Sequence, residues 1–221
     1  MRNNYHHYRL AALVILPFIL FSCQSAYYYT MEKFGLHKRD LLVSGVEKAR
    51  DSQEDAKEQF KSALERFSSV VNFDGGTLQE KYEQLNAELE LSESRAKTVH
   101  DRIVEVENVA EALFLEWEEE LSKYTNEQMR QISQRKLFDT QQQYTKLIGA
   151  MRNAEKKIEP VLVTFRDQVL FLKHNLNAEA IASLKGELVS VESDVTVLIE
   201  EMEKSIDEAN KFITANLNEN G

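Results

Sequence analysis

The sequence predicts an all-α protein: an elongated antiparallel helical bundle, or coiled-coil hairpins, of about four long helices. Three observations predict it. Gly and Pro number only 7 and 2 in 221 residues, too few for the many tight turns of a sheet protein. Glu, Lys, Gln, Ala and Leu are abundant and charged residues reach 29%, the composition of long helices. Apolar residues recur at alternating spacings of four and three, the period that keeps one seam of a helix against its neighbours.

The first heptad run is Leu42, Val46, Ala49, Gln53, Ala56, Phe60, Ala63, Phe67 and Val70, polar only at Gln53. Asp74-Gly75-Gly76 reads as a helix stop and turn. The glycine pair has no lysine partner and so does not make a phosphate loop. Thr77 and Glu80 form a T-x-x-E capping box. The second run then follows: Leu78, Tyr82, Leu85, Leu89, Ser92, Ala96, Val99, Ile103, Val106, Ala110, Leu113 and Trp117, polar only at Ser92. Two such helices joined across Asn72–Gly76 make an antiparallel hairpin.

The third helix is expected to start near Thr125, with Thr125 and Gln128 as the candidate cap. Its stripe is Leu137, Tyr144, Ile148, Met151, Ile158, Leu162, Phe165, Val169 and Leu172, interrupted by Gln141 and Glu155. Pro160 removes one helical hydrogen bond, but the phase carries through it. The expectation is a kinked continuous helix or a very short break. Asn175-Leu176-Asn177 ends the segment. The last run is Ile181, Leu184, Leu188, Val191, Val195, Leu198, Met202, Ser205, Ala209 and Phe212, polar only at Ser205. The bundle is thus expected over 41–217, with 218–221 a flexible tail. Whether the seams are filled by this chain or by a second copy stays open at this level.

The N-terminus suggests an address. Arg2 and Arg9 precede and open a twelve-residue apolar run, Leu10–Phe21, broken only by Pro17. That falls short of the roughly 20 residues that span a bilayer and matches a signal peptide over 1–22. Leu20-Phe21-Ser22-Cys23 resembles the lipobox of bacterial lipoproteins, with Leu20 and Ser22 in the recognition positions and Phe21 bulkier than usual. The resemblance implies cleavage before Cys23, a diacylglycerol on its thiol and a further acyl chain, such as palmitate, on the new amino terminus. Two or three chains hold a protein stably to a membrane. Gln24, where Asp favours inner-membrane retention, points by the same resemblance to the outer membrane, facing the periplasm of a Gram-negative envelope. In the juxtamembrane segment, 23–40, Tyr27, Tyr28 and Tyr29 suit either the membrane–water boundary or packing on the bundle. Lys33, His37, Lys38 and Arg39 form a small basic patch for headgroups, diluted by Glu32 and Asp40.

Charge and chemistry narrow the function. The net charge is −10, and −12 without the first 22 residues, which argues against a nucleic-acid partner. Cys23 is the lone cysteine, so no internal disulfide forms and thiol catalysis is not expected. No phosphate loop, dinucleotide fingerprint, G-x-S-x-G elbow or H-E-x-x-H spacing occurs, so no cofactor, metal or catalytic residue is assigned. His100 beside Asp101 reads as a surface pair. Trp117 among Glu116 and Glu118–Glu120 reads as a seam residue beside a solvated acidic face.

Tyr27-Tyr-Tyr-Thr-Met-Glu-Lys-Phe-Gly35-Leu-His-Lys38-Arg39-Asp40, Gln59-Phe-Lys-Ser-Ala-Leu64 and Asn72-Phe-Asp-Gly-Gly76 together resemble a family of uncharacterised Gram-negative proteins. Its members carry a domain of unknown function behind signal or lipoprotein N-termini. The resemblance covers most of the chain after Cys23 and implies no established activity. The expected function is a non-enzymatic, lipid-anchored periplasmic scaffold or adaptor. It would hold the membrane through its acyl chains and a protein partner, or another copy, through coiled-coil contacts. The alternative is a carrier of lipid or a small apolar ligand between amphipathic helices.

Overall fold

A computed structural model describes residues 38–72, 75 and 77–217. Its contacts divide the chain into two compact units, Met1–Leu41 and Leu42–Gly221. Four helices follow one another: α1 (Lys38–Val71), α2 (Leu78–Leu121), α3 (Glu127–His174) and α4 (Ala178–Leu217). No strand occurs among the described residues. At a rise of 1.5 Å per residue the helices are roughly 50 to 70 Å long. α1 begins at Lys38, a few residues before the boundary at 41 that the heptad pattern suggests.

Cross-helix contacts in the second unit set the topology. A Cβ on Gly45 of α1 would lie 3.6 Å from Val106 of α2, and Gln59 reaches Glu88 Oε2 at 2.7 Å, so α1 and α2 are antiparallel. Trp117 meets Ser133 and Glu93 meets Arg166, so α2 and α3 are antiparallel as well. α4 returns along α3, where Asn216 approaches Gln143 at 3.5 Å, and along α1, where Ser205 bonds Gln53 and Asn210 bonds Arg50. Phe67 and Phe165 stack across the diagonal, centroids 6.4 Å apart. The unit is an up-down-up-down four-helix bundle. Its seams are filled within one chain.

The heptad positions form the core. All nine positions of the α1 run are buried, and no position of the α2 run is exposed. α3 departs from a simple seam. Tyr144 and Ile148 are half-buried, while Thr140, Leu147, Ala154 and Val161 are buried outside the expected stripe. A bundle helix touches neighbours on both flanks, so its buried band is wider than the a/d seam of a two-stranded coiled coil.

The helix ends follow local chemistry. Thr77 Oγ1 accepts from the Glu80 backbone N–H at 3.2 Å and Glu80 Oε2 accepts from the Thr77 N–H at 2.9 Å, completing the capping box. Gly75 ahead of it has φ +150°, a region that side chains disfavour. The cap of α3 corrects the expectation: Asn126, not Thr125, occupies it, its Oδ1 accepting from Met129 N–H at 3.1 Å. Asn is at least as good an N-cap as Thr, and the helix starts one residue later. Pro160 lies inside an unbroken α3, as the continuous phase predicts. It sits on the exposed face, and its missing N–H deprives the Lys156 carbonyl of its usual helical donor. α3 ends at Asn175, whose side chain donates to Phe171 O at 2.9 Å.

Candidate interaction surfaces

The single polar residues of the α1, α2 and α4 runs, Gln53, Ser92 and Ser205, are fully buried and hydrogen-bonded, whereas Gln141 and Glu155 of the α3 run are half-buried. Ser205 Oγ donates to Gln53 Oε1 at 2.7 Å, joining α4 to α1. Ser92 Oγ donates to the Glu88 carbonyl at 2.7 Å and lies 3.4 Å from Gln59 Nε2, joining α2 to α1. One donor is left over: Gln53 Nε2 is buried with no partner. Polar members in an apolar seam cost stability and restrict how helices pair.

An ionic ladder closes the outer edge between α2 and α3. Arg152 grips Glu107 through two nitrogens and Glu155 through a third at 2.6 Å. The other Glu155 oxygen meets His100 Nδ1 at 2.6 Å. Further along, Arg166 joins Glu93 at 2.6 Å and Glu159 at 2.8 Å. His100 and Asp101 are both on the surface, as the sequence suggests, but their hydrogen bonds go to other partners. Consecutive helical residues point about 100° apart, so His100 turns to α3, while Asp101 takes Lys97 at 2.5 Å. Trp117 is half-buried and its indole N–H donates to Ser133 Oγ at 2.8 Å. On the acidic face beside it, Glu118 accepts from Gln141 at 3.1 Å.

Between the two ion clusters lies an open groove of about 270 Å³. Ala96, Ile158 and Leu162 form its apolar floor, and Glu93, Lys97, His100 and Arg166 stand on its rim. Its three carboxylates, Glu93, Glu155 and Glu159, are each paired with an arginine. No group of three or more His, Cys, Asp or Glu side chains capable of holding a metal occurs among the described residues.

Glu155 gives the ladder a pH signature. Burial pushes its carboxyl up, but hydrogen bonds from Arg152 and His100 outweigh burial and hold it below its ordinary value of 4.5. The unfolded chain therefore binds the proton first on acidification. Glu155 contributes its full stability above pH 4.5 and loses it as pH falls through the lower folded value. Urea midpoints in a pH series are expected to fall less steeply below pH 4.5 for Glu155→Gln than for the parent. Parallel curves would contradict this assignment.

Of the residues singled out from the sequence, Leu20, Ser22, Cys23, Gln24, Tyr27, Tyr28, Tyr29, Lys33 and His37 lie outside the described residues, as does the tail 218–221. Lys38 and Arg39 open α1 and are half-buried. No helix among the described residues is long and apolar enough to cross a membrane. The interhelical pairs of Arg152 and Arg166 had no sequence signal, because charges beside a heptad seam are ordinary and their partners depend on register.

Comparison with known proteins places the chain against one family model, described as a protein of unknown function (DUF2959), which matches residues 27–216. No curated protein and no solved structure matches significantly.

Proposed function

Since the chain belongs to this DUF2959 family of proteins of unknown function, we propose that it is a non-enzymatic, lipid-anchored scaffold or adaptor of the cell envelope. Cys23 carries the acyl chains, and the bundle presents its outer faces to a protein partner or to another copy. Gln24 directs it to the outer membrane, facing the periplasm, and Tyr27, Tyr28, Tyr29, Lys38 and Arg39 attend the membrane surface.

Tight packing around Phe67 and Phe165 supports this reading over the carrier alternative. The gap among Ala63, Phe67, Leu85, Leu89, Phe165 and Val169 amounts to about 10 Å³. A site for a drug-sized apolar ligand occupies on the order of 300–1,000 Å³. Buried polar groups and ion pairs further tie each helix to its neighbours, a construction that favours a stiff spacer.

The test is made in intact cells. Radiolabelled palmitate should enter the parent protein and not Cys23→Ser. A photo-crosslinking side chain at position 97, on the groove rim, should trap a discrete protein adduct. Absence of acyl label sinks the anchor. An uncrosslinked chain whose solvent extract contains stoichiometric lipid would replace the scaffold by the carrier.

A further inference from the structure

We infer that the Gln53–Ser205 pair is a register lock that fixes how α4 seats on α1. Apolar heptad seams are self-similar: sliding one helix by seven residues again faces apolar side chains with apolar side chains. The α1 and α4 seams are of this kind. Only Gln53 interrupts the first and only Ser205 the second, and the two meet at 2.7 Å.

A one-heptad slip destroys that match in either direction. Gln53 would then face Leu198 or Phe212, which are 0% and 2% exposed in the native bundle. Ser205 would face Phe60 or Val46, both fully buried. Every shifted register strands a buried amide, and removing the partner of a buried polar group is far costlier than never having the pair. The native pairing itself is imperfect, because Gln53 Nε2 stays unbonded. An apolar pair of similar size would pack there without that cost. The residue pair is therefore accounted for by selectivity among registers, not by strength. The α1–α2 seam repeats the device: Gln59 meets Glu88 and Ser92, and a heptad slip would bring Leu85 or Val99 to the place of Ser92. Both devices act on α1, which makes it the helix against which two neighbours are indexed.

Thiol crosslinking of the full chain tests the lock, in a Cys23→Ser background. Arg50 and Asn210 are bonded at 3.2 Å, so cysteines at 50 and 210 report the native register. Cysteines at 50 and 203 report a slip of one heptad. With Gln53 and Ser205 present, a short bismaleimide should link 50 to 210 and leave 50 and 203 unlinked. In Gln53→Leu/Ser205→Ala both pairs should crosslink, with the melting temperature unchanged or raised. The exchanged variant Gln53→Ser/Ser205→Gln should restore the single native crosslink. A folded apolar variant that crosslinks only at 50 and 210 would overturn the lock. Loss of folding in that variant would overturn it too, since the pair would then be a source of stability.

Discussion

Phe60→Ala is expected to destabilise the bundle by about 3–5 kcal/mol, the range for truncating a fully buried aromatic side chain. Phe60 has no solvent exposure and is among the largest side chains sealed in the core. It stands at the seam position of α1 between Ala56 and Ala63, both also buried. Those neighbours are small, so α1 itself offers nothing that can move into the space. The void must be closed by α2, α3 or α4, which are tied to their neighbours by hydrogen bonds at Glu88, Arg152 and Ser205 respectively. The cost therefore includes a cavity contribution in addition to lost burial. For a chain of this size the midpoint should drop by roughly 6–20 °C. Chemical denaturation of both proteins measures the difference. The exposed Val189, at 75% exposure, is the internal control, and its replacement by Ala should stay within about 0.5 kcal/mol. A Phe60→Ala loss below about 1 kcal/mol would show that Phe60 is not packed as described.

Pro160→Ala should act in the opposite direction, raising stability by roughly 1–3 kcal/mol. Proline in a helix interior lacks the N–H that would bond the carbonyl four residues back, here that of Lys156, and its ring crowds that carbonyl. α3 nonetheless runs unbroken from Glu127 to His174, so the helix accommodates this defect rather than ending at it. Pro160 is exposed, so alanine removes no core contact, and Ile158, Val161 and Leu162 around it stay buried. The gain is less than the full proline penalty because proline also stiffens the unfolded chain. Thermal melts of the two proteins decide it. A lower midpoint for Pro160→Ala would mean that a bend at this site is needed to bring Ile158 and Leu162 onto the core together.

The two variants probe parts of the molecule that were legible to different degrees. Phe60 belongs to an uninterrupted heptad run, and such runs announce their buried face wherever a helix has one dominant contact direction. Every position of the α1 run is buried, although Val43, Ser52, Gln59 and Val71 are buried beside it. α3 follows that rule less well: Leu147 and Ala154 are core residues outside the stripe, and Tyr144 lies only partly inside it. Tyr144 packs edge-on against Phe114 with centroids 5.4 Å apart, and burial, with the nearby Glu107 charge, pushes its phenol up to about 12. No one-dimensional spacing contains that contact, because it depends on the rotation of α2 against α3. The cap of α3 shows the same limit at short range. Thr125 and Asn126 are both competent caps, and the choice depends on where the chain leaves the turn after α2.

By itself the sequence determined the helical class, the number and order of the helices, the Thr77 cap, the passage through Pro160 and the positions of the polar breaks. These follow from local rules: hydrogen bonding within four residues, and a period of 3.5 that needs no knowledge of the partner. Tertiary structure alone decided which seam faces which. Heptad patterns are interchangeable between helices, so nothing local told that Gln53 would find Ser205, that His100 would meet Glu155, or that Ala96 would floor a groove on the outside. Those outcomes depend on the relative axial shift and rotation of whole helices. For Gln53 and Ser205, both fully buried, the cost of stranding a polar group weighs on that choice, and it exists only once the helices are packed.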